Sequence, residues 1–176
     1  MTDKDKATST AFRLAIGAIF AAIVFIATIT FTIPIPATSG YFNLGETAIY
    51  VVALLFGPLA GGLAGGVGAA MADAYVAPQF ALGTLVIKTC EGIIVGFLAK
   101  AVMQTKRSHL GAIVAMALGG LEMIFGYFLY EQLVLNYPLI AALAEIPFNL
   151  VQMLVGVLVA FPIMNVVLRV FPQLKS

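Results

Sequence analysis

The sequence predicts an all-α integral membrane protein with six transmembrane helices. Hydrophobic residues make up 62% of its 176 residues and charged residues only 10%, whereas about half of a soluble globular chain is apolar. One span needs about 20 apolar residues, and apolar segments occupy residues 10–32, 45–56, 58–75, 80–103, 110–130 and 138–168. The connections are short and hold no soluble insert, so we interpret residues 1–176 as a single transmembrane domain.

The segments have different boundary signals. The first is long enough to span, and no small-residue cleavage site precedes a hydrophilic domain, so we expect it to remain as a helix. The second and third meet at Phe56-Gly57-Pro58, where Pro begins a helix better than it continues one and a tight turn is predicted. In the sixth segment, Pro147 is expected to bend the helix start or to separate a short outer helix from the main span.

Small residues recur at a spacing of four in the third and fourth segments, at Gly61/Gly65, Gly62/Gly66 and Gly92/Gly96. This spacing is typical of membrane helices that approach each other closely. A phosphate-binding loop is not indicated, because no Gly-Lys-Ser/Thr follows the glycines. The first segment has the same spacing at Ala18/Ala22 and at Gly17/Ala21, and such a face could dock another protein.

Positive charges predict the orientation of the helices. Lys and Arg precede the first segment and follow the fourth and the sixth, at Lys4, Lys6, Arg13, Lys100, Lys106, Arg107, Arg169 and Lys175. The opposite connections hold no Lys or Arg. Cytoplasmic connections of membrane proteins carry the excess of basic residues, so both termini are predicted to be cytoplasmic.

Lys88 and Glu91 are three residues apart inside the fourth apolar segment. A helix would place both charges on one face at membrane depth, where ionisable groups are costly and commonly mark a substrate or ion site. The alternative is structural, because the two side chains could simply pair and lock the bundle.

Further polar side chains fall on common helical faces. One face of the second segment carries Asn43, Glu46 and Tyr50, and one face of the sixth carries Glu145, Asn149 and Gln152. Polar and aromatic residues also close the outer ends of other segments, at Asp73, Tyr75, Tyr127, Tyr130 and Glu131. Together they predict a cup that opens outward, with Glu122 as its deepest member, suited to a small polar ligand with an aromatic ring.

Each member of the cup also has a structural alternative. Glu46 could serve as a helix N-terminal charge, and Asp73 could be an end residue that reaches out to solvent. For Glu131 and Glu145, ordinary solvation near the outer water interface is the favoured expectation. Asn149 and Gln152 could form hydrogen bonds between helices.

Composition excludes several functional classes. The net charge of +1 does not suggest a nucleic-acid partner, and the lone Cys90 offers neither a disulfide nor a zinc site. His109 lies in a predicted cytoplasmic connection among basic residues and is assigned no role. We therefore predict no cofactor, no metal and no catalytic residue.

The sequence resembles a known family in three runs. These are residues 40–46 (GYFNLGE), residues 55–61 (LFGPLAG) continuing to Asp73, and residues 85–88 (LVIK) with Glu91-Gly92. They resemble the substrate-binding S components of energy-coupling factor (ECF) vitamin transporters, in the subgroup that includes the riboflavin-type S components. The resemblance covers nearly the whole chain.

The resemblance implies a six-helix protein of the prokaryotic cell membrane that captures a vitamin or vitamin precursor and does no chemistry itself. Its partners would be a transmembrane coupling protein, met by the Ala18/Ala22 face, and two ATPase subunits. With the residue patterns above, it gives the expected ligand-binding set: Tyr41, Asn43, Glu46, Asp73, Lys88, Glu91, Glu122, Tyr127 and Asn149.

The sequence does not select one cargo among riboflavin, hydroxymethylpyrimidine and pyridoxine-like compounds. Several carboxylates beside Lys88 favour a neutral or cationic, dephosphorylated heterocycle over a phosphate ester. Two other classes stay open: a proton-coupled carrier acting alone, and an intramembrane enzyme. The first would need internal repeats that the sequence does not show, and the second lacks the usual nucleophile and zinc motifs.

Overall fold

The computed structural model describes residues 3–102 and 108–175. In that part of the chain six α-helices form one bundle, as the sequence predicts. They are α1 (Asp3–Thr30), α2 (Gly45–Phe56), α3 (Pro58–Val76), α4 (Ala81–Val102), α5 (Ser108–Leu133) and α6 (Leu139–Val170), followed by a short 3₁₀ helix (Pro172–Lys175). Lys106 and Arg107, used above for orientation, lie outside the described residues, and the orientation stays a prediction.

A β-hairpin between α1 and α2 was not predicted. Strand β1 (Thr32–Ile35) pairs antiparallel with β2 (Gly40–Asn43), so that Thr32 is opposite Asn43 and Ile35 is opposite Gly40. The four-residue connection turns through Ser39, which has a φ of 61°. Asn43 therefore belongs to β2, and the prediction that it shares a face of the second helix with Glu46 is wrong.

The α2–α3 connection is the predicted tight turn. Gly57 has a φ of 85°, a backbone region that favours glycine, and Pro58 occupies the first turn of α3. Beyond this turn, α3 and α4 pack closely through the predicted glycines. A methyl group at Gly65 would come within 2.7 Å of the Lys88 carbonyl oxygen, so only a glycine permits this approach.

Helix α6 runs without interruption from Leu139 to Val170 and includes both Pro147 and Pro162. Of the two alternatives for Pro147, a bend and a separate outer helix, the separate outer helix is therefore wrong. A membrane helix tolerates an internal proline where other groups satisfy the freed backbone carbonyl. As a result, Glu145 and Asn149, on either side of Pro147, remain on one continuous helix.

Helix α1 has two small-residue faces with different surroundings. Gly17 and Ala21 are buried, and a methyl group at Gly17 would lie 3.0 Å from the Leu63 Cβ of α3. Ala18 and Ala22 are exposed. One face is therefore used inside the bundle, and the other is left uncovered.

The outer surface of the bundle is apolar, as a membrane location requires. Helices α3 to α6 contain segments of 19, 21, 25 and 32 residues that are long and apolar enough to span. Exposed side chains on them include Leu82, Phe97, Phe125 and Leu158. The apolar part of α1 (Leu14–Thr30) and α2 are shorter than 18 residues.

Candidate functional site

A polar pocket lies at the end of the bundle where the β-hairpin, the end of α3 and the starts of α4 and α6 meet. We call this end the hairpin end. The cavity that the lining side chains enclose is about 30 Å³, and the space around it, counted with the open mouth, is about 340 Å³. Nine residues line it: Gly40, Tyr41, Asn43, Asp73, Phe80, Tyr127, Glu145, Asn149 and Gln152.

Asp73 organises one side of the pocket. Its carboxylate is buried and accepts hydrogen bonds from the Tyr41 hydroxyl of the hairpin and the Thr84 hydroxyl of α4. Thr84 also lies 2.9 Å from the Tyr127 hydroxyl of α5. A single carboxylate thus connects three elements around the pocket, and Asp73 is not the solvent-directed end residue that one alternative proposed.

The Tyr41 hydroxyl stays protonated because of its surroundings. Burial, followed by the charge of the neighbouring Asp73, raises the pKa of the Tyr41 phenol well above its ordinary value. The hydroxyl is therefore a hydrogen-bond donor throughout the physiological pH range.

Aromatic rings form a second side of the pocket. Phe80, which is buried just before α4, contacts three tyrosine rings: Tyr127 at 6.3 Å, Tyr130 at 6.5 Å and Tyr137 at 6.3 Å between ring centroids. Tilted and edge-to-face pairs at these distances are favourable arrangements of aromatic rings. The result is an aromatic wall facing polar groups across the pocket.

Helix α6 supplies the third side through Glu145, Asn149 and Gln152. The intervals of four and three residues place them on one face, and all three are buried and line the pocket. The Gln152 side-chain oxygen accepts a hydrogen bond from the Asn43 backbone N–H at 2.8 Å. The predicted polar face of α6 is confirmed, and Gln152 holds the β-hairpin, whereas its structural alternative was a hydrogen bond between helices.

Lys88 lies about one helical turn further into the bundle than Thr84, and its ammonium group is fully engaged by protein. It pairs with Glu46 of α2 and with Glu91 at 2.9 Å, and all three side chains are at least 96% buried. The Tyr50 hydroxyl is 3.3 Å from Glu91. Lys88 also lies 5.8 Å from the centre of the Tyr127 ring, a cation–π contact with the pocket wall.

The expected ligand-binding residues thus form two neighbouring groups. Tyr41, Asn43, Asp73, Tyr127 and Asn149 line the pocket. The other four, Glu46, Lys88, Glu91 and Glu122, are not among the lining residues, and three of them form the ion-paired cluster. Glu122 is partly buried, with one carboxylate oxygen that has no hydrogen-bond partner among the described residues. Ligand contact by any of the nine stays a prediction.

Sequence reasoning omitted four lining residues from the expected set: Gly40, Phe80, Glu145 and Gln152. For Glu145 and Gln152 the signal was present in the spacing with Asn149. For Gly40 no signal was available, because its place depends on the unpredicted hairpin. A Cβ atom there would meet the Glu145 carboxylate, so a larger residue at this position would require the Glu145 side chain to move.

The expectation that Glu131 and Glu145 are solvated is wrong. Glu131 is fully buried and Glu145 is 5% exposed. Glu145 accepts a hydrogen bond from the Thr38 hydroxyl of the hairpin turn. Both Glu131 carboxylate oxygens lack a hydrogen-bond partner among the described residues. The hairpin and the α5–α6 connection pack over these carboxyl groups. Local sequence could not predict this packing, because both segments come from other parts of the chain.

Known proteins share this architecture. The S component of a bacterial ECF transporter superimposes with a TM-score of 0.66 at 21% identity, covering 93% of this chain and 99% of that one. The S component for biotin from an ECF-type ABC transporter gives a TM-score of 0.65 at 18% identity, covering 94% and 95% of the two chains. At these identities the likeness establishes the fold.

Sequence relationships establish the family. A Pyrococcus woesei protein, described as an uncharacterized protein in the gap 3' region, is 43% identical over 134 residues, which is 76% of this chain and 86% of that protein. Residues 9–169 match the family described as ECF-type riboflavin transporter, S component. This match extends through all six helices, and the chain belongs to the S-component family of ECF-type riboflavin transporters, membrane proteins that act as substrate-binding subunits.

Proposed function

We propose that this S component captures a small heterocyclic vitamin or vitamin precursor in the pocket at its hairpin end. The observation that carries the proposal is the lining itself, where an aromatic wall around Phe80 faces the polar side chains of Asp73 and Asn149. Small-molecule sites typically combine apolar or aromatic walls with a few polar groups that fix orientation. In the predicted orientation the pocket opens outside the cell.

The charges around the pocket favour a dephosphorylated cargo. Asp73 and Glu145 line it, and none of the described residues that line it carries a positive charge. The nearby Lys88 is already paired with Glu46 and Glu91. A phosphate ester would bring negative charge beside carboxylates, where repulsion is strong in a region of low dielectric. A neutral or protonated heterocycle avoids this cost.

Energy for uptake would come from partner subunits. We expect a transmembrane coupling protein and two ATPase subunits, because the chain has no ATP-binding loop of its own. The exposed Ala18/Ala22 face of α1 supports a docking role, since small exposed residues allow another helix to approach closely.

Isothermal titration of the purified chain tests the cargo. The panel would contain riboflavin, hydroxymethylpyrimidine and pyridoxine, each beside its phosphorylated form. One dephosphorylated compound is expected to bind at one site per chain. Tighter binding of a phosphorylated form would contradict the cargo assignment, and no binding by any compound would contradict capture of this vitamin class.

A matched pair of variants locates the binding site. Phe80→Leu removes the centre of the aromatic wall and should weaken binding roughly 2- to 10-fold through lost ring contacts. Phe97→Leu makes the same change at a side chain that is 65% exposed on the outer surface of α4, and affinity should not change. Equal effects of the two variants would place the cargo elsewhere.

A further inference from the structure

One side of the pocket carries oxygen-bearing side chains whose hydrogen-bond directions are fixed. The Asp73 carboxylate of α3 accepts from the Tyr41 hydroxyl through Oδ1 and from the Thr84 hydroxyl through Oδ2. An ionised carboxylate has no proton to donate, so each of these hydrogen bonds can have only this direction. Asp73 is 6% exposed and Thr84 is 1% exposed, so bulk water does not compete for either group.

Thr84 also fixes the direction of the next hydrogen bond. Its hydroxyl proton is committed to Asp73, and its oxygen lies 2.9 Å from the Tyr127 hydroxyl oxygen. A threonine hydroxyl has one proton to donate and two lone pairs to accept with. The Tyr127 phenol must therefore be the donor in its contact with Thr84.

The phenol protons of Tyr41 and Tyr127 are consequently used inside this side of the pocket. Tyr41, Asp73 and Tyr127 all line the pocket, and each can meet a bound molecule only with the lone pairs of its side-chain oxygens. We call these three side chains the acceptor wall. The hairpin turn repeats the pattern, because Thr38 donates its hydroxyl to the lining carboxylate of Glu145.

We infer that the cargo presents a ring-bound N–H or O–H donor to the acceptor wall, and that Thr84 is a positioning residue that acts on the cargo through Asp73 and Tyr127. This assignment rests on the proposed function, because it describes the molecule that the pocket captures. A ring edge that carried only carbonyl or ether oxygens would face lone pairs and leave them unpaired, which is costly in a buried site. On the α6 side, the Asn149 carboxamide can pair with either kind of group, so the acceptor wall makes the selection.

Calorimetric titration of matched compounds tests the inference on the native chain. Each parent compound is paired with an analogue that lacks one ring-bound donor. Hydroxymethylpyrimidine is paired with the analogue that has methoxy in place of the ring amino group, pyridoxine with its ring-hydroxyl methyl ether, and riboflavin with the form methylated at its ring N–H. The parent compound that binds should bind roughly 10- to 100-fold more tightly than its analogue, as for loss of a hydrogen bond to a charged acceptor.

Three variants separate hydrogen-bond direction from the size of the added methyl group. Thr84→Val keeps the side-chain shape but removes the acceptor for Tyr127, which frees the phenol proton for the pocket, so the preference should fall roughly 2- to 10-fold. Thr84→Ser retains the hydroxyl and should keep the native preference. Thr89→Val removes a hydroxyl that donates to the Leu85 carbonyl oxygen within α4 at 2.6 Å, and the preference should not change. A penalty for size alone would be the same in all three variants.

Two outcomes would overturn the inference. One is an analogue that binds the native chain as tightly as its parent, and the other is a Thr84→Val chain with the same preference as the Thr84→Ser chain. The first comparison needs no variant and is decisive if Thr84→Val does not fold. Binding of a parent compound without preference over its analogue contradicts the donor assignment and leaves the proposed capture of a vitamin intact. If no compound binds, the proposed function fails and the donor assignment fails with it.

Discussion

The Tyr41 hydroxyl donates a hydrogen bond to the Asp73 carboxylate, which connects the β-hairpin to the end of α3. Tyr41 is on strand β2 and Asp73 is on helix α3, and their contact forms one wall of the pocket. Because Thr84 donates to the same carboxylate, this part of the site is set by tertiary contacts between three elements.

Removal of the Tyr41 hydroxyl should weaken cargo binding. Tyr41→Phe leaves Asp73 with one fewer donor and frees the hairpin from α3, so the dissociation constant should rise roughly 2- to 10-fold, as for loss of one hydrogen bond. Tyr75→Phe is the control, because Tyr75 is 80% exposed. Calorimetric titration of both variants checks this, and an unchanged constant for Tyr41→Phe would remove the hydroxyl from the binding argument.

Replacement of Lys88 should primarily affect stability. Lys88→Ala leaves Glu46 and Glu91 buried without their cation, and loss of one partner of a buried ion pair costs about 3–5 kcal/mol. The free energy of unfolding in detergent measures this. Lys100→Ala, at an exposed lysine of the same helix, should have little effect.

The ion-pair explanation also predicts a rescue. A triple variant, Lys88→Met with Glu46→Gln and Glu91→Gln, removes all three charges and should recover much of the lost stability, because neutral side chains do not need the pair. If Lys88→Ala were as stable as the native chain but failed to bind cargo, the lysine would be a ligand contact instead of a structural one.

Enlargement of the exposed face of α1 should impair only assembly. Ala18→Leu and Ala22→Leu are expected to preserve folding and cargo binding but to reduce co-purification with the coupling protein, since bulky side chains prevent close approach of helices. Ala101→Leu, at another exposed alanine, is the control for size. In contrast, Ala21→Leu should destabilise the chain, because Ala21 is buried against α3. Normal assembly of both exposed-face variants would place the docking surface elsewhere.

A methyl group on the α3–α4 interface should destabilise the bundle. At Gly92 a Cβ atom would lie 2.7 Å from the Gly62 backbone nitrogen, so Gly92→Ala must separate the helices, at a cost of about 1–3 kcal/mol for overpacking. Thermal unfolding measures the loss. Cys90→Ala, at an exposed side chain two residues away, should unfold at the native temperature, and a native-like Gly92→Ala would show that the contact can relax.

Periodic features of the fold were predictable from the sequence. The number and approximate positions of the helices, the turn at Gly57 and the face shared by Glu145, Asn149 and Gln152 all follow from local pattern, because hydropathy and residue spacing indicate a helix and its polar side directly. The hairpin was not predicted. Its strands have only four residues each, too few to show the alternation of apolar and polar residues that indicates a strand, and β1 contains a proline.

Contacts between side chains that are far apart in the sequence could not be predicted for this site. Local spacing indicated the pair of Lys88 with Glu91, but the second partner, Glu46, comes from α2 and is brought close only by the packing of α2 on α4. Similarly, solvation was expected for Glu131 from its place at a helix end, whereas the hairpin and the α5–α6 connection bury it. Such burial depends on segments from other parts of the chain that pack over the side chain, and local sequence patterns do not indicate them.

Native mass spectrometry tests most directly whether the pocket holds a vitamin-like molecule. The purified chain would be incubated with the dephosphorylated panel beside two variants, Asn149→Trp, which fills the pocket, and Leu150→Trp, which changes the neighbouring side chain, one that is 40% exposed and does not line the pocket. We predict one added small molecule per native chain and per Leu150→Trp chain, and none on Asn149→Trp. Equal occupancy of the two variants, or no bound molecule on the native chain, would contradict the capture of a vitamin in this pocket.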